Sequence, residues 1–368
     1  MRTISEILAT AYENLSDEEK KVYHYCNESK ILMQRSRDEL TDDERAAYDY
    51  WSAVRTTPIP VPVLSGEYVH IYQPQGQVYR SCDDPLFKSG DYCENWVSND
   101  FTIINDGEKW HMIGITGPRL PKEIYRDEFD RTPGLAHGPE LQLFHAVAEG
   151  ETFSEVFSDR SFKDRGNILS SCDRPTERPE IWAPYLVKRD DGFHLVYSPQ
   201  RIRQRITKDF KTWSPAPDLF VSESDSARDI NVYEENGISY VIYVKGKSVV
   251  YRTSEDFLHW SEEKVLYTCH FKNGDPESPF LIKNGEFYYL FWCLYDGQNG
   301  SFDNRTFVFA SNTLEGLNDS APITMLPAHA PELVKDRDGT WYLLSAYYPN
   351  NGINAVKLEF KPRHIPKP

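Results

Sequence analysis

Two hydrophobic rhythms divide the chain. Up to residue 55 apolar positions recur every three or four residues. Ile4, Ile7, Leu8, Ala11, Tyr12 and Leu15 share one helical face, and Ala46, Ala47, Tyr50 and Trp51 share another. Capping boxes mark helix starts at Thr3 with Glu6, Ser16 with Glu19 and Thr41 with Glu44. Helices this short do not stand alone, so residues 1–55 are expected to pack on the rest of the chain, on a second copy, or on both. Thr57-Pro58-Ile59-Pro60-Val61-Pro62 cannot be helical and reads as an extended linker. From about residue 66 the rhythm changes to short β-type runs separated by Gly, Asn and Asp.

Throughout this β-rich region a single phrase recurs: a polar or aromatic residue, an apolar strand, an Asp/Asn-Gly turn, and an aromatic-rich strand. It occupies residues 100–115, 182–198, 229–244, 277–292 and 329–345. Each copy predicts a β-hairpin, because a turn glycine (Gly107, Gly192, Gly237, Gly285, Gly339) joins two runs rich in β-branched and aromatic residues. Third strands are expected near 143–153, 205–214, 251–261 and 307–316. A repeat of about 45 residues with several strands per unit is the pattern of a β-propeller blade. A β-sandwich would space its hairpins evenly without repeating a phrase. The expected fold is therefore an all-β five-bladed β-propeller over 56–368, with a short N-terminal α-helical segment over 1–55. The strand Tyr68–Tyr72 has no place in the repeat and is expected to complete the last blade. Residues 117–140 form an insertion between the second and third strands of the first blade.

Composition narrows the partners. Lys and Arg number 41 against 57 Asp and Glu, a net charge of −16, which disfavours nucleic acid and anionic membrane surfaces. Aromatic residues at 14% argue against disorder. Residues 1–20 carry acids where a secretory signal would not. The six cysteines are scattered without a CxxC, which reads as free thiols rather than a disulfide frame or a zinc site. These features set the expectation of a soluble cytoplasmic protein.

Aligned on the apolar strand, the five copies begin with Asp100, Trp182, Asp229, Glu277 and His329. Innermost propeller strands run along the central channel, so these positions are expected at one channel mouth. A single acid at a strand start is ordinary turn chemistry. Three acids on one axis repel each other, and glycoside cleavage is a chemistry that needs them. One carboxyl must be protonated to serve the leaving oxygen, and another must be ionised to attack or to activate water. A third can raise the acid's pKa and stabilise the charged transition state. Trp96 and Trp182 offer flat faces for a sugar ring, Arg228 can bind a hydroxyl or tune Asp229, and Asn99 can bind a hydroxyl or turn the chain. His145 and His270 are further candidates for the pocket, Glu180 for its rim, and Glu332 for a salt-bridged structural role. Trp213 and Trp260 recur at equivalent places and read as blade packing.

These motifs resemble those of the five-bladed propeller glycosidases of the furanosidase superfamily, which includes glycoside hydrolase families 32, 43, 68 and 117. The resemblance covers roughly residues 66–360. Trp96-Val97-Ser98-Asn99-Asp100 is similar to the motif that carries the nucleophile in family 32 or the base in family 43. Arg228-Asp229 is similar to the Arg-Asp motif of the transition-state stabiliser, whose family 43 counterpart modulates the acid's pKa. Glu277-Ser278-Pro279-Phe280 resembles the family 43 segment around the general acid, and Trp182-Ala183-Pro184 its second-blade motif. His329 stands where family 43 enzymes often carry a channel histidine, sometimes near calcium. Phe101 and Ile230 depart from the Pro that usually follows each Asp, and Tyr185 from a common Asp. The helical head is similar to the dimer-supporting segment of family 117.

The resemblance implies a glycoside hydrolase, exo-acting on short oligosaccharides, with Asp100, Asp229 and Glu277 catalytic. Trp96, Asn99, Trp182, Arg228 and His329 would bind substrate. No cofactor is expected beyond a structural calcium in the channel, and the N-terminal helices would support a homodimer. A phosphorylase or transglycosidase on the same scaffold, or a carbohydrate-binding propeller without catalysis, are the alternatives.

Overall fold

The computed structural model describes residues 12–16, 19–20, 38, 59–76, 96–118, 140–178, 180–269, 274–295, 304–320 and 322–363. Five antiparallel sheets are arranged as the blades of a propeller. The first holds β2 (Trp96–Asn105), β3 (Lys109–Pro118), β4 (Gln142–Glu149) and β5 (Lys163–Ile168), and the second β6 (Trp182–Arg189), β7 (Gly192–Ser198) and β8 (Arg201–Thr207), with the short β9 (Ser214–Pro215) and β10 (Phe220–Val221) both pairing β8. The third runs through β11 (Arg228–Glu235), β12 (Ile238–Lys245), β13 (Ser248–Ser254) and β14 (Lys264–Thr268). The fourth runs through β15 (Asp275–Asn284), β16 (Phe287–Tyr295), β17 (Arg305–Ser311) and β18 (Thr324–Pro327). The fifth takes β19 (Glu332–Lys335), β20 (Trp341–Ala346) and β21 (Ile353–Arg363) from the C-terminal end and β1 (Ile59–Tyr72) from the N-terminal end.

The strand at 68–72 does close the ring, and it is longer than expected. Ile59 to Pro62, read as linker, pair with Arg363 to Phe360. Prolines are tolerated there because β1 is the outermost strand of its blade, where an outward position needs no N–H for the ladder. The five turn glycines all have positive φ, for example 79° at Gly237 and 62° at Gly285, the conformation a tight hairpin demands. The expected third strands after the second and third hairpins stop at Thr207 and Ser254. Beyond them, Thr207 Oγ1 accepts from Phe210 N–H at 2.9 Å and Ser254 Oγ from Phe257 N–H at 2.8 Å, folding each Asp-Phe segment into a tight turn.

Each interface between neighbouring blades carries its own apolar cluster, such as Ile113, Ile115 and Leu143 of the first blade against Leu186, Leu195 and Tyr197 of the second. Trp213 and Trp260 pack on two of these clusters, as their recurrence implied. The first strands lie around the axis, β2 against β6 and β19, β6 against β11, and β11 against β15.

Of the helical head, Ser16 and Glu19 form the expected capping box, Ser16 N–H to Glu19 at 2.9 Å and Glu19 N–H to Ser16 Oγ at 3.2 Å. Leu15 is buried in the cluster between the third and fourth blades. The other two capping boxes and the dimer face lie outside the described residues. Cys269 and Cys293 are thiols outside any disulfide, but Cys172 is disulfide-bonded, which corrects the free-thiol reading there: scattered spacing carries no information about pairing across a fold. Among the described residues no helix is long and apolar enough to cross a membrane.

Candidate active site

At the channel mouth the first strands share one irregularity. Pairing shifts by a residue between Ser98 and Phe101, Trp182 and Tyr185, Arg228 and Asn231, and Glu277 and Phe280. In the fifth blade Ala346 N–H donates to the His329 carbonyl at 2.9 Å before Glu332 pairs with Leu344. These are β-bulges, in which an extra residue bends the strand and re-aims its side chains. The first bulged residue has positive φ in four blades: 39° at Ala183, 61° at Asp229, 48° at Ser278 and 46° at Ala330. Such backbone costs about 1–2 kcal/mol at a non-glycine residue, and strain of this kind concentrates at functional sites.

The bulge corrects the expected column. The equivalent residues preceding it are Ser98, Trp182, Arg228, Glu277 and His329. Asp229 comes one residue later and Asp100 two. Counting back from the apolar strand misses this, because an unpaired residue shifts the count.

The three acids meet all the same. Ser278 links two of them, its hydroxyl donating to Asp100 Oδ1 and its N–H to Asp229 Oδ2 at 3.1 Å. Arg228 links the third: Nε lies 3.4 Å from Asp229 Oδ2, and Nη2 lies 3.6 Å from Glu277 Oε1. Burial pushes the Asp100 carboxyl up to about 6, with the Ser278 hydroxyl opposing and Glu140 assisting. Burial also raises Asp229 to about 6, against Arg228 and with the help of Asp100. Glu277 is driven well above the usual carboxylate range by burial; Arg228 opposes this, and Asp229, Asp100 and Glu140 add to it. Its Oε2 is buried and has no hydrogen-bond partner among the described residues. The surroundings therefore favour the protonated form of Glu277, while Asp100 and Asp229, at about 6, ionise toward neutral pH, the kind of separation that acid–base chemistry requires.

The other candidates divide. Arg228 faces the acids and is 17% exposed. Trp182 is half-buried, with the Arg178 guanidinium 5.6 Å from its ring centroid. Asn99 is buried and donates to Glu140 at 3.4 Å, while its Oδ1 lies 2.8 Å from His329 Nε2. Trp96 is buried with its indole N–H on Thr116 Oγ1 at 2.6 Å, and His329 is 1% exposed. These last two therefore stand behind the site instead of presenting a surface to a sugar. His145 lies between the first two blades on His111 Nδ1 at 3.0 Å and near Phe210, away from the channel mouth. Burial pushes it down to about 3. Glu180 pairs with Arg178 at 3.1 Å, and His270 lies outside the described residues.

Among the described residues no group of three His, Cys, Asp or Glu is arranged to hold a metal ion. His329, on which the calcium expectation rested, is committed to Asn99. Among the described residues the side chains do not form a calcium cage.

Below the acids, Tyr185 and Phe280 approach to 6.3 Å between ring centroids. They come from the second and fourth blades, so the rings meet across the axis and narrow the channel. The open end is the mouth.

No protein-family profile and no curated protein sequence matches the chain. Solved structures do. A thermostable family 43 glycoside hydrolase superposes with a TM-score of 0.51 at 16% identity, over 75% of this chain and 96% of that one. A family 43 β-xylosidase/α-arabinofuranosidase from a compost microbial metagenome gives 0.52 at 13%, over 72% and 91%. A Bacillus subtilis arabinanase gives 0.51 at 12%, over 72% and 94%. The fold is that of the family 43 glycoside hydrolases. Within the family 43 fold, this chain's bulges bring in two residues that its motifs did not assign to the site. Ser278 was legible as the neighbour of Glu277 but not as a link between two aspartates. Glu140 sits at the end of the long insertion, outside the repeat, and only proximity in space places it against Asn99.

Proposed function

We propose that the chain is a glycoside hydrolase that removes a terminal sugar from a short oligosaccharide. The observation that carries this reading is the meeting of Asp100, Asp229 and Glu277 around Ser278 and Arg228, with burial holding Glu277 protonated. Glu277 is the general acid for the leaving oxygen. Asp100 is the base or nucleophile, and Asp229, beside Arg228, stabilises the developing positive charge and keeps the acid's proton in place. The half-buried Trp182 offers an apolar face to a ring, and Asn99 with Glu140 offers hydroxyl partners. A channel narrowed below the acids by Tyr185 and Phe280 leaves a blind pocket at the mouth, the shape that suits a terminal sugar. The similar β-xylosidase/α-arabinofuranosidase was solved with xylotriose, an oligosaccharide of the proposed size.

The disulfide at Cys172 fits an oxidising compartment better than the cytoplasm, so substrates outside the cytoplasm belong in the test. A screen of aryl glycosides, furanosides included, with NMR of the first-formed anomer, finds the sugar and decides between retention and inversion. Asp100→Asn should abolish turnover on every leaving group. Glu277→Gln should spare activated aryl leaving groups, which need little protonation, and stop alkyl ones. Saturable sugar binding with no product, or cleavage only with added phosphate, would reject hydrolysis.

A further inference from the structure

Against the two aspartates lies a cavity of ≈ 20 Å³, walled by Asp100, Asp229, Ser278 and Glu332 with Pro184 and Pro331. That is about the room one water centre needs. Three of the four polar walls are accounted for. Ser278 gives its hydroxyl to Asp100 and its N–H to Asp229, and Arg228 serves Asp229 and Glu277. Glu332 is the exception. It is 9% exposed, lines the cavity, and has neither a hydrogen-bond donor nor a cation as partner among the described residues.

The groups around Glu332 leave it one role. Asp100 faces it from β2, Tyr185 from across the channel on β6, and Asp229 and Ser278 across the cavity from β11 and β15, while Nε2 of His329, three residues earlier, is turned to Asn99. An ionised carboxylate there would be a buried charge among like charges, which the fold cannot sustain. A protonated carboxyl has one O–H to donate, and the charged acceptor that acts on Glu332 is Asp100. We propose that Glu332 is a positioning residue: a protonated carboxyl that donates, directly or through the single water the cavity admits, to the Asp100 carboxylate. Burial raises its pKa well above the usual range, and the Asp100 charge raises it further. Asp100 is then held by two donors, Ser278 and Glu332, which fix its orientation and favour its anion. This rests on the reading of Asp100 as the base or nucleophile, but its structural half is independent of any substrate.

The test uses the full chain with Glu332→Leu, which keeps volume and removes the donor, and Glu332→Gln, which keeps a donor. In the wild type at neutral pH, infrared spectra should show a protonated-carboxyl C=O band that Glu332→Gln deletes. Losing a donor to an anion raises its pKa, so Glu332→Leu should move the Asp100 titration, assigned in the infrared through Asp100→Asn, upward by about one unit. The acidic limb of kcat/KM should move with it, kcat should fall roughly tenfold with little change in KM, and Glu332→Gln should restore most of both. Absence of the neutral-pH band, an unmoved Asp100 titration in Glu332→Leu, or a downward shift in Glu332→Gln (the sign of a lost negative charge) overturns the proposal. If the infrared shifts appear and no glycoside is cleaved, the positioning stands and the hydrolase reading fails.

Discussion

At the scale of single residues, the site is a problem of too many acids for one arginine. Asp100, Asp229 and Glu277 influence one another and Glu140 adds to Asp100 and Glu277, while Arg228 opposes all three, helped by the Ser278 donors at the aspartates and by His329 at Asp229. The proposed chemistry needs Asp100 ionised and Glu277 protonated. Activity should therefore rise as pH increases through about 6, where Asp100 and Asp229 ionise, and fall at the higher pH where Glu277 gives up its proton. A bell-shaped kcat/KM profile with its acidic limb near 6 is the expected measurement, and a limb near the ordinary carboxylate value would contradict the assignment. The same shift has a stability consequence of opposite sign to that of a salt-bridged carboxylate. A folded-state pKa above the unfolded one makes the fold bind protons more tightly, so stability is greatest at acid pH and is lost as pH rises through 6. Asp100→Asn removes that burden and should be more stable than wild type by roughly 2–3 kcal/mol at neutral pH, with the gain shrinking toward pH 4. Thermal melts across that range give the answer. An inactive variant that is no more stable would mean that Asp100 is not held under electrostatic tension.

At the scale of elements, the hairpins were legible because their causes are local. Alternating β-branched and aromatic residues and a glycine at each turn specify a hairpin without help from the rest of the chain, and five copies of one phrase specify five blades. The bulge was not legible. Whether Asp100 or Ser98 is the last paired residue depends on how five strands share one axis, and both registers fit the same local pattern. The expected column thus held Glu277 in phase and placed Asp229 one residue and Asp100 two residues out of it. Ile59-Pro60-Val61-Pro62 failed for a related reason, since only the position of β1 at a blade edge makes room for its prolines. Glu332 read as a structural residue because its strand is ordinary; its meaning comes from Asp100, far away along the chain and adjacent in space. The element-level device with a direct test is the bulge at Ser278, whose hydroxyl and N–H hold two aspartates from one strained residue. Ser278→Ala keeps the N–H and loses the hydroxyl. Hydrogen bonds to charged groups are worth about 1.5–3 kcal/mol, so kcat should fall by roughly 10- to 100-fold with KM little changed. The acidic limb should move up as Asp100 loses a donor. A loss confined to KM would assign Ser278 to substrate binding instead.

At the scale of the whole molecule, the ring has to be closed, and both ends of the chain close it. The fifth blade would otherwise leave β21 as a long unpaired edge with its apolar face open, a surface that promotes aggregation. β1 covers that edge and buries Ile59, Val61, Ile71 and Tyr72. At about 1.5–3 kcal/mol for each buried side chain the four contribute some 6–12 kcal/mol, as much as the whole net stability of a typical domain, about 5–15 kcal/mol. The head enters differently. Among its described residues Leu15 is the one that joins a core cluster, and truncating a buried leucine removes about 2–5 kcal/mol. These magnitudes separate two truncations. A chain lacking residues 1–58 keeps β1 and should still unfold cooperatively, with its Tm lowered by several degrees. A chain lacking residues 1–72 loses the closing strand and should show no cooperative transition, because the lost burial equals the stability available. Circular dichroism melts decide it, and light scattering on the shorter truncation tests in the same samples whether the head holds two copies together. If both truncations melt alike, closure through β1 contributes little, the blades hold by their interfaces alone, and the channel mouth that brings Asp100 to Glu277 does not depend on a closed ring.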